Sequence, residues 1–364
     1  MAPVVRECCD RGLLCTMVNT GQHGTLTDEI IREIGSPVRD LSLASCAARG
    51  VDTLTSGLGW LAGMLRRHVI TSPVGPERLF RRNGGIALVH GDTASTLLTV
   101  LIAKRAGQKV VHVEAGLRSW RWFHPFPEEL VRIVTMRLSD HLFVPNKEAY
   151  GNLGRMRITG RAYQLPANTS LDAINYDINK CTKMSPDMPP RYALATIHRM
   201  ETLYSRHSME TLLEVLDEAN RVAPVIFIEH PPTLKRLNHY GLREKLSAIG
   251  IQQKSLVDHA TFLNLVRNSR FIITDGGSVQ EEAYYLGVPC LLYRDVTERS
   301  EGLGENVVLA GRRNREQISE FLNGCDAYRR PDKLCTTRSP SAVLVEELLK
   351  ILASLGDCAR EQPT

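Results

Sequence analysis

FIITDGGSVQEEAYYLGVPCLL, residues 271–292, decides the architecture. An apolar run (Phe271–Asp275) reads as a buried strand. Asp275-Gly276-Gly277-Ser278 then turns the chain into a helix near Ser278–Leu286, and a second apolar run, Pro289–Tyr293, follows. Strand, small-residue turn, helix, strand is the signature of parallel α/β structure. Small residues let backbone N–H groups approach a ligand, and the helix N-terminus adds partial positive charge, so the turn reads as a phosphate site. Glu282, one turn into the helix, is placed to reach a ribose hydroxyl. The plainer alternative is a tight turn before an N-capped helix.

The same alternation extends outward. Strands are predicted at Tyr192–Ile197 and Val225–Glu229, with helices near Ser208–Ala219 and Thr261–Val266. Earlier in the chain, strands are predicted at Cys15–Thr20, Ile86–His90, Val110–Val113 and His141–Pro145, with helices at Thr96–Ala106 and Pro127–Leu138. Residues 161–190, rich in Pro, Asn, Ser and Thr, read as a connection holding one short helix, Leu171–Ile178. Ser341–Leu355 is amphipathic and helical. With 364 residues the chain exceeds what one core supports. The expected fold class is α/β with two Rossmann-like domains, 1–165 and 166–340, and a C-terminal helix in 341–364.

The net charge of +5 comes without a Lys/Arg block, which argues against a nucleic-acid surface. Nine scattered cysteines form no CxxC pair, so reduced thiols are expected rather than a zinc site or disulfide framework. No stretch reaches the ~18 apolar residues of a membrane span, and no signal peptide is legible. The expected compartment is the cytoplasm.

In parallel sheets, ligands gather at the carboxyl ends of strands, and the residues there are unusually polar. Asp92 follows IALVH; it reads as a base or hydroxyl ligand, or as an N-cap. Glu114 follows VVHV; a carboxylate there is costly unless paired or used, and a salt bridge to Arg118 is the structural alternative. Glu128, after Pro127, is either functional or complements a helix dipole. His198 and Arg199 follow YALATI; His titrates near neutrality and Arg pairs with phosphate. A core histidine beside a surface arginine reads equally well. Gly57–Gly63 imitates a dinucleotide fingerprint, but no strand precedes it and the spacing is wrong. Gly302 and Gly304 open no helix.

HGDT (90–93), HVEAGLRS (112–119), PFPEE (125–129), TIHR (196–199), TDGGSVQEEAYYLGVPCLL (274–292) and DVTERSE (295–301) together resemble the non-hydrolysing UDP-N-acetylglucosamine 2-epimerase family, in order from about Met1 to Ala310. The resemblance implies a glycosyltransferase-B-like fold: two Rossmann-type domains facing a cleft that holds a UDP-sugar, with the last helix packing back on the first domain. It places Asp92, Glu114, Glu128 and His198 at catalytic positions. Arg118, Arg199, Gly276, Gly277, Ser278, Glu282 and Arg299 fall at substrate-binding positions, and Gln22, His23 and His230 at a second, activating UDP-sugar site of some relatives. It implies no cofactor and no metal, a UDP-sugar as partner, and a homodimer.

The implied chemistry expels UDP as the C2 proton leaves, forming a glycal, and re-adds UDP after protonation of the other face. HVEAGLRS with PFPEE favours the non-hydrolysing branch over the hydrolysing epimerases. The acids Asp92, Glu114 and Glu128 argue against a glycosyltransferase. A catalytically impaired UDP-sugar binder and an epimerase of a UDP-diacetamido sugar remain as alternatives. Family members open on a strand and a GTRPE segment, and Met1–Val5 aligns just after it. The first strand is therefore expected to be missing from this chain, with a start codon placed too late as the expected reason. Further departures are GGS for the usual SGG, Val131 for the usual Asn, and Met200 and Thr202 within the HRxEN motif.

Overall fold

The computed structural model describes residues 1–20, 39–42, 59, 63, 66, 85–122, 127–180 and 188–360. The chain divides into two compact units, Met1–Thr169 with Thr337–Thr364, and Ser170–Thr336. The division falls at 169/170 and 336/337, whereas the sequence reading drew it at 165/166 and 340/341.

The first unit runs α1 (Ala2–Asp10), β1 (Thr16–Asn19), β2 (Arg39–Ser42), β3 (Ile86–His90), α2 (Ala94–Arg105), β4 (Lys109–Val113), α3 (Glu128–Leu138), β5 (His141–Val144), α4 (Lys147–Arg155) and β6 (Arg161–Gln164). Strands β3-β4-β5-β6 form one parallel sheet, and β1 and β2 pair as a separate parallel ribbon. In β4 and β5 nearly every residue is buried, because helices cover both faces of a parallel sheet. Strand β6 corrects the reading of 161–190 as a connection holding a single short helix; that helix is present at Ser170–Asp177. The strand pairs with β5 at the sheet edge, with Arg161 and Gln164 exposed and Ala162 and Tyr163 only partly buried, so no apolar run announces it.

The last helix, Pro340–Arg360, also belongs to this unit. Its Leu344, Val345, Leu348 and Ile351, spaced as one helical stripe, share a core with Val4 and Cys8 of α1 and with Val111, Val113 and Phe143 of the sheet. Burying each such side chain contributes about 1.5–3 kcal/mol.

The second unit contains α5 (Ser170–Asp177), β7 (Ala193–Thr196), α6 (Met200–Leu203), α7 (Arg206–Val222), β8 (Val225–Glu229), α8 (Pro231–Tyr240), α9 (Arg243–Ala248), β9 (Gln252–Ser255), α10 (His259–Asn268), β10 (Ile272–Thr274), α11 (Gly277–Tyr285), β11 (Cys290–Tyr293), β12 (Val307–Ala310) and α12 (Arg315–Gly324). The closing helix of the chain, Pro340–Arg360, is thus α13. All six strands are parallel, in the order β12-β11-β10-β7-β8-β9. The strand order reverses between β7 and β10. At such a switch point the loops leaving neighbouring strands diverge and open a ligand crevice at their carboxyl ends.

Candidate active site

In the first unit Asp92 and Glu129 share one buried arginine. Asp92 leaves β3 at Gly91 but does not cap α2; Thr93 does, accepting from the Thr96 N–H. Asp92 instead accepts from Arg132 Nη2. Arg132, 3% exposed on α3, also donates through Nη1 to Glu129 Oε2 (2.8 Å). The other Glu129 oxygen accepts from Arg118 Nε (2.5 Å). Glu129 is fully buried. Two guanidiniums thus hold the Glu129 carboxylate while one of them reaches Asp92. Arg118 therefore pairs with Glu129, not with Glu114, and its guanidinium lies 4.4 Å from the Trp120 ring centroid. Glu128 opens α3 beside Glu129, in the positive first turn.

Glu114 has the most constrained backbone of the sequence-predicted acids. Its φ is +66°, in the left-handed region, which costs a non-glycine residue roughly 1–3 kcal/mol and clusters at functional sites. Its side chain accepts from Asn168 Nδ2 (2.6 Å), and His90 Nε2 lies 3.9 Å from its other oxygen. Asn168 is 2% exposed. Behind Asp92, the fully buried His112 holds the turn through Nε2 and the Gly91 carbonyl (2.8 Å). Burial lowers the His112 pKa to about 4, so its ring is neutral at pH 7.

In the second unit, residues from the ends of β7 and β10 interlock at the switch point. The fully buried Asp275 accepts from the backbone N–H of His198 (Oδ1, 3.0 Å) and of Arg199 (Oδ2, 3.0 Å), and from Thr202 Oγ1 (3.1 Å). The His198 ring packs against His230 with centroids 4.6 Å apart and planes tilted by 31°, and His230 Nε2 is 2.9 Å from Thr196 Oγ1. Burial lowers both histidine pKa values, that of His230 to about 4. His230 is thus adjacent to His198. Gln22 and His23, expected beside it at a second sugar-nucleotide site, lie outside the described residues.

The glycines of the turn make room for neighbouring side chains. A Cβ on Gly276 would lie 2.9 Å from His198 Cε1, and one on Gly277 2.9 Å from Arg299 Nε. Arg299 is fixed by Glu281 (2.5 Å), which also accepts from Ser170 Oγ (2.8 Å). Arg199 reaches Glu298 (3.6 Å), a carboxylate shared with the buried Arg294 (3.2 Å). Among the described residues no side chain caps α11, whose N-cap is Gly276, and Ser278 is exposed in its first turn. An uncapped helix start beside guanidiniums is suited to a diphosphate. Glu282 follows one turn later, where it meets His259.

Asn168, Arg132 and His259 escaped the sequence reading. Asn168 sits in the stretch read as connection. Arg132 had one available signal, its position three residues after Glu129 on a helix face.

Two parallel nucleotide-type sheets, acids at strand ends in one unit and a glycine turn at the switch point of the other, define the glycosyltransferase-B-like class of α/β proteins. The solved structure of UDP-GlcNAc 2-epimerase from Methanocaldococcus jannaschii, in complex with UDP-GlcNAc and UDP, matches with a TM-score of 0.83 at 27% identity, over 96% of this chain and 95% of that one. A UDP-N-acetylglucosamine 2-epimerase of Methanococcus maripaludis is 35% identical over 85% of this chain and 84% of its own length. The Bacillus subtilis enzyme of the same name is 31% identical over 96% and 91%. The family model described as UDP-N-acetylglucosamine 2-epimerase matches residues 9–334. The chain belongs to the UDP-N-acetylglucosamine 2-epimerase family.

Proposed function

We propose that the protein inverts C2 of UDP-N-acetylglucosamine to give UDP-N-acetylmannosamine without net hydrolysis. The observation that carries this reading is the family match across residues 9–334, within which every catalytic acid predicted from the sequence falls. The C2 hydrogen has no adjacent carbonyl to acidify it, so the reaction needs a leaving group to draw off the electrons. A base takes the C2 proton, the C–H electron pair becomes the C1=C2 bond, and the C1–O pair departs with UDP. Protonation of C2 on the opposite face and return of the UDP oxygen to C1 complete the inversion. Atoms and electrons balance with no oxidant.

Asp92, Glu114 and Glu128 are the proposed proton-handling groups, since carboxylates in unlike settings can divide acid and base roles. Asp92 stands against Arg132, whereas Glu114 is held by the neutral amide of Asn168. Arg199, Arg299 and the uncapped start of α11 (Gly276, Gly277, Ser278) are proposed to stabilise the departing diphosphate. His198, neutral at pH 7, is proposed to donate a hydrogen bond to it. Glu282 is the proposed ribose ligand. A symmetric cytoplasmic homodimer is the proposed working form, two-fold dimers being the commonest soluble assembly; sedimentation velocity tests it.

The decisive experiment incubates the purified protein with UDP-N-acetylglucosamine in heavy water and follows C2 by NMR. Deuterium at C2, together with UDP-N-acetylmannosamine and no accumulating UDP, is the expected result. Steady release of UDP would make the protein a hydrolysing enzyme. Absence of exchange by folded, UDP-binding protein would refute the epimerase reading.

A further inference from the structure

His259 is the first residue of α10 and touches two other helices. Its Nδ1 lies 2.7 Å from Asp177 Oδ2 at the end of α5, and its Nε2 3.3 Å from Glu282 Oε1 on α11. Both ring nitrogens face carboxylates, which accept and never donate when ionised, so the ring satisfies both only as the imidazolium. A cation at a helix N-terminus opposes the helix dipole; here the two acids outweigh it. The bond to Glu282 leads in raising the His259 pKa to about 9, against desolvation, with Asp177 adding to it.

The neighbouring charges are otherwise committed. Lys180 is bound to the other oxygen of Asp177 (2.5 Å), Asp258 caps its own helix through the Thr261 N–H (2.9 Å), and Glu281 is taken by Arg299 and Ser170. Glu282 differs. One oxygen meets His259, while Oε2 is buried and makes no hydrogen bond among the described residues. A carboxylate clamped on one side, with a buried acceptor oxygen left over, is built to receive hydroxyl donors.

We propose that His259 is a positioning residue for nucleotide recognition: bridged to Asp177, it orients Glu282 so that the remaining carboxylate oxygen reads the ribose hydroxyls of the bound nucleotide. This rests on the reading of α11 as the UDP-binding segment. It also assigns a role to Asp177, which anchors the imidazolium from α5.

The test compares UDP with 2′,3′-dideoxy-UDP by titration calorimetry on the full chain at pH 7, in the wild type and in His259→Phe and His259→Gln. Hydrogen bonds to a charged acceptor favour UDP over the dideoxy analogue by about ten- to a hundredfold in the wild type. In His259→Phe the ratio falls below about threefold while dideoxy-UDP affinity stays nearly constant, because only hydroxyl recognition is lost. His259→Gln, which keeps one donor, falls between. A merely structural role weakens both nucleotides equally and preserves the ratio; that result in a folded variant overturns the proposal. A wild type that binds both nucleotides equally also overturns it, with the UDP site intact. A wild type that binds neither removes the function reading itself, and the positioning role with it.

Discussion

Replacing Asn168 by alanine isolates the support of Glu114 from the chemistry. The amide donates a 2.6 Å hydrogen bond to a carboxylate that is 9% exposed, from a side chain that is 2% exposed, so water cannot readily take over. Hydrogen bonds to charged groups contribute about 1.5–3 kcal/mol. If the bond is needed only to hold Glu114 where the C2 proton leaves, the whole amount appears in the barrier, and kcat falls roughly ten- to a hundredfold. KM should change less than about twofold, because the interaction is equal with and without substrate. Asn168→Asp should be worse, since it sets a second carboxyl against the first. The assay is C2 deuteration by NMR, with circular dichroism to confirm folding. A folded Asn168→Ala protein with wild-type kcat would refute the argument. A rise in KM at constant kcat would mean that Asn168 contacts the substrate instead.

Other outcomes follow from the same contacts. Arg132→Met leaves Asp92 and Glu129 without their shared cation, and should destabilise the first unit by about 3–5 kcal/mol, read as a lowered urea midpoint. Gly276→Ala drives a methyl to 2.9 Å from His198 Cε1; kcat should fall at least about tenfold with the fold retained, and unchanged exchange would show that His198 can move freely. Leu348→Ala should cost about 2–5 kcal/mol by opening a cavity under α13, and a melting temperature within a degree of wild type would contradict the packing. Acid should weaken the first unit through His112. Its pKa is about 4 when folded and about 6.5 when exposed, so the unfolded chain binds the proton first. Stability is therefore lost as pH falls from 6.5 towards 4, by about 3 kcal/mol in all, and His112→Gln should flatten that part of the urea-midpoint profile.

Much of the fold was legible because a parallel strand covered on both faces must be written as an apolar run. Val225–Glu229 is such a run and folds with the bounds read from it; Ile86–His90 keeps its bounds as well, although its burial alternates along the strand. Strands β6 and β9, at the ends of their sheets, did not show because they carry no apolar run, and the apolar edge strand β12 was not read either. Helix α1 and the pairing of β1 with β2 were likewise not read. The polar residues at strand ends announced Asp92, Glu114, His198 and the Asp275 turn for the complementary reason: a polar residue placed directly after an apolar strand lies where the sheet opens to ligands.

What the sequence determined by itself is therefore the α/β class, the duplicated nucleotide-type halves and the residues presented at strand ends. Periodicity and turn chemistry are local, and these features depend on little else. The tertiary structure decided the partners. Arg118 binds Glu129 and not Glu114, Asp92 pairs with a helix residue forty positions later, and Asn168 crosses fifty-four positions to reach Glu114. It also decided why Gly276 and Gly277 are small, since the side chains they admit come from other loops. Buried charges must find partners, and which partner lies within reach is set by how the strands are ordered, a property no local stretch of sequence contains.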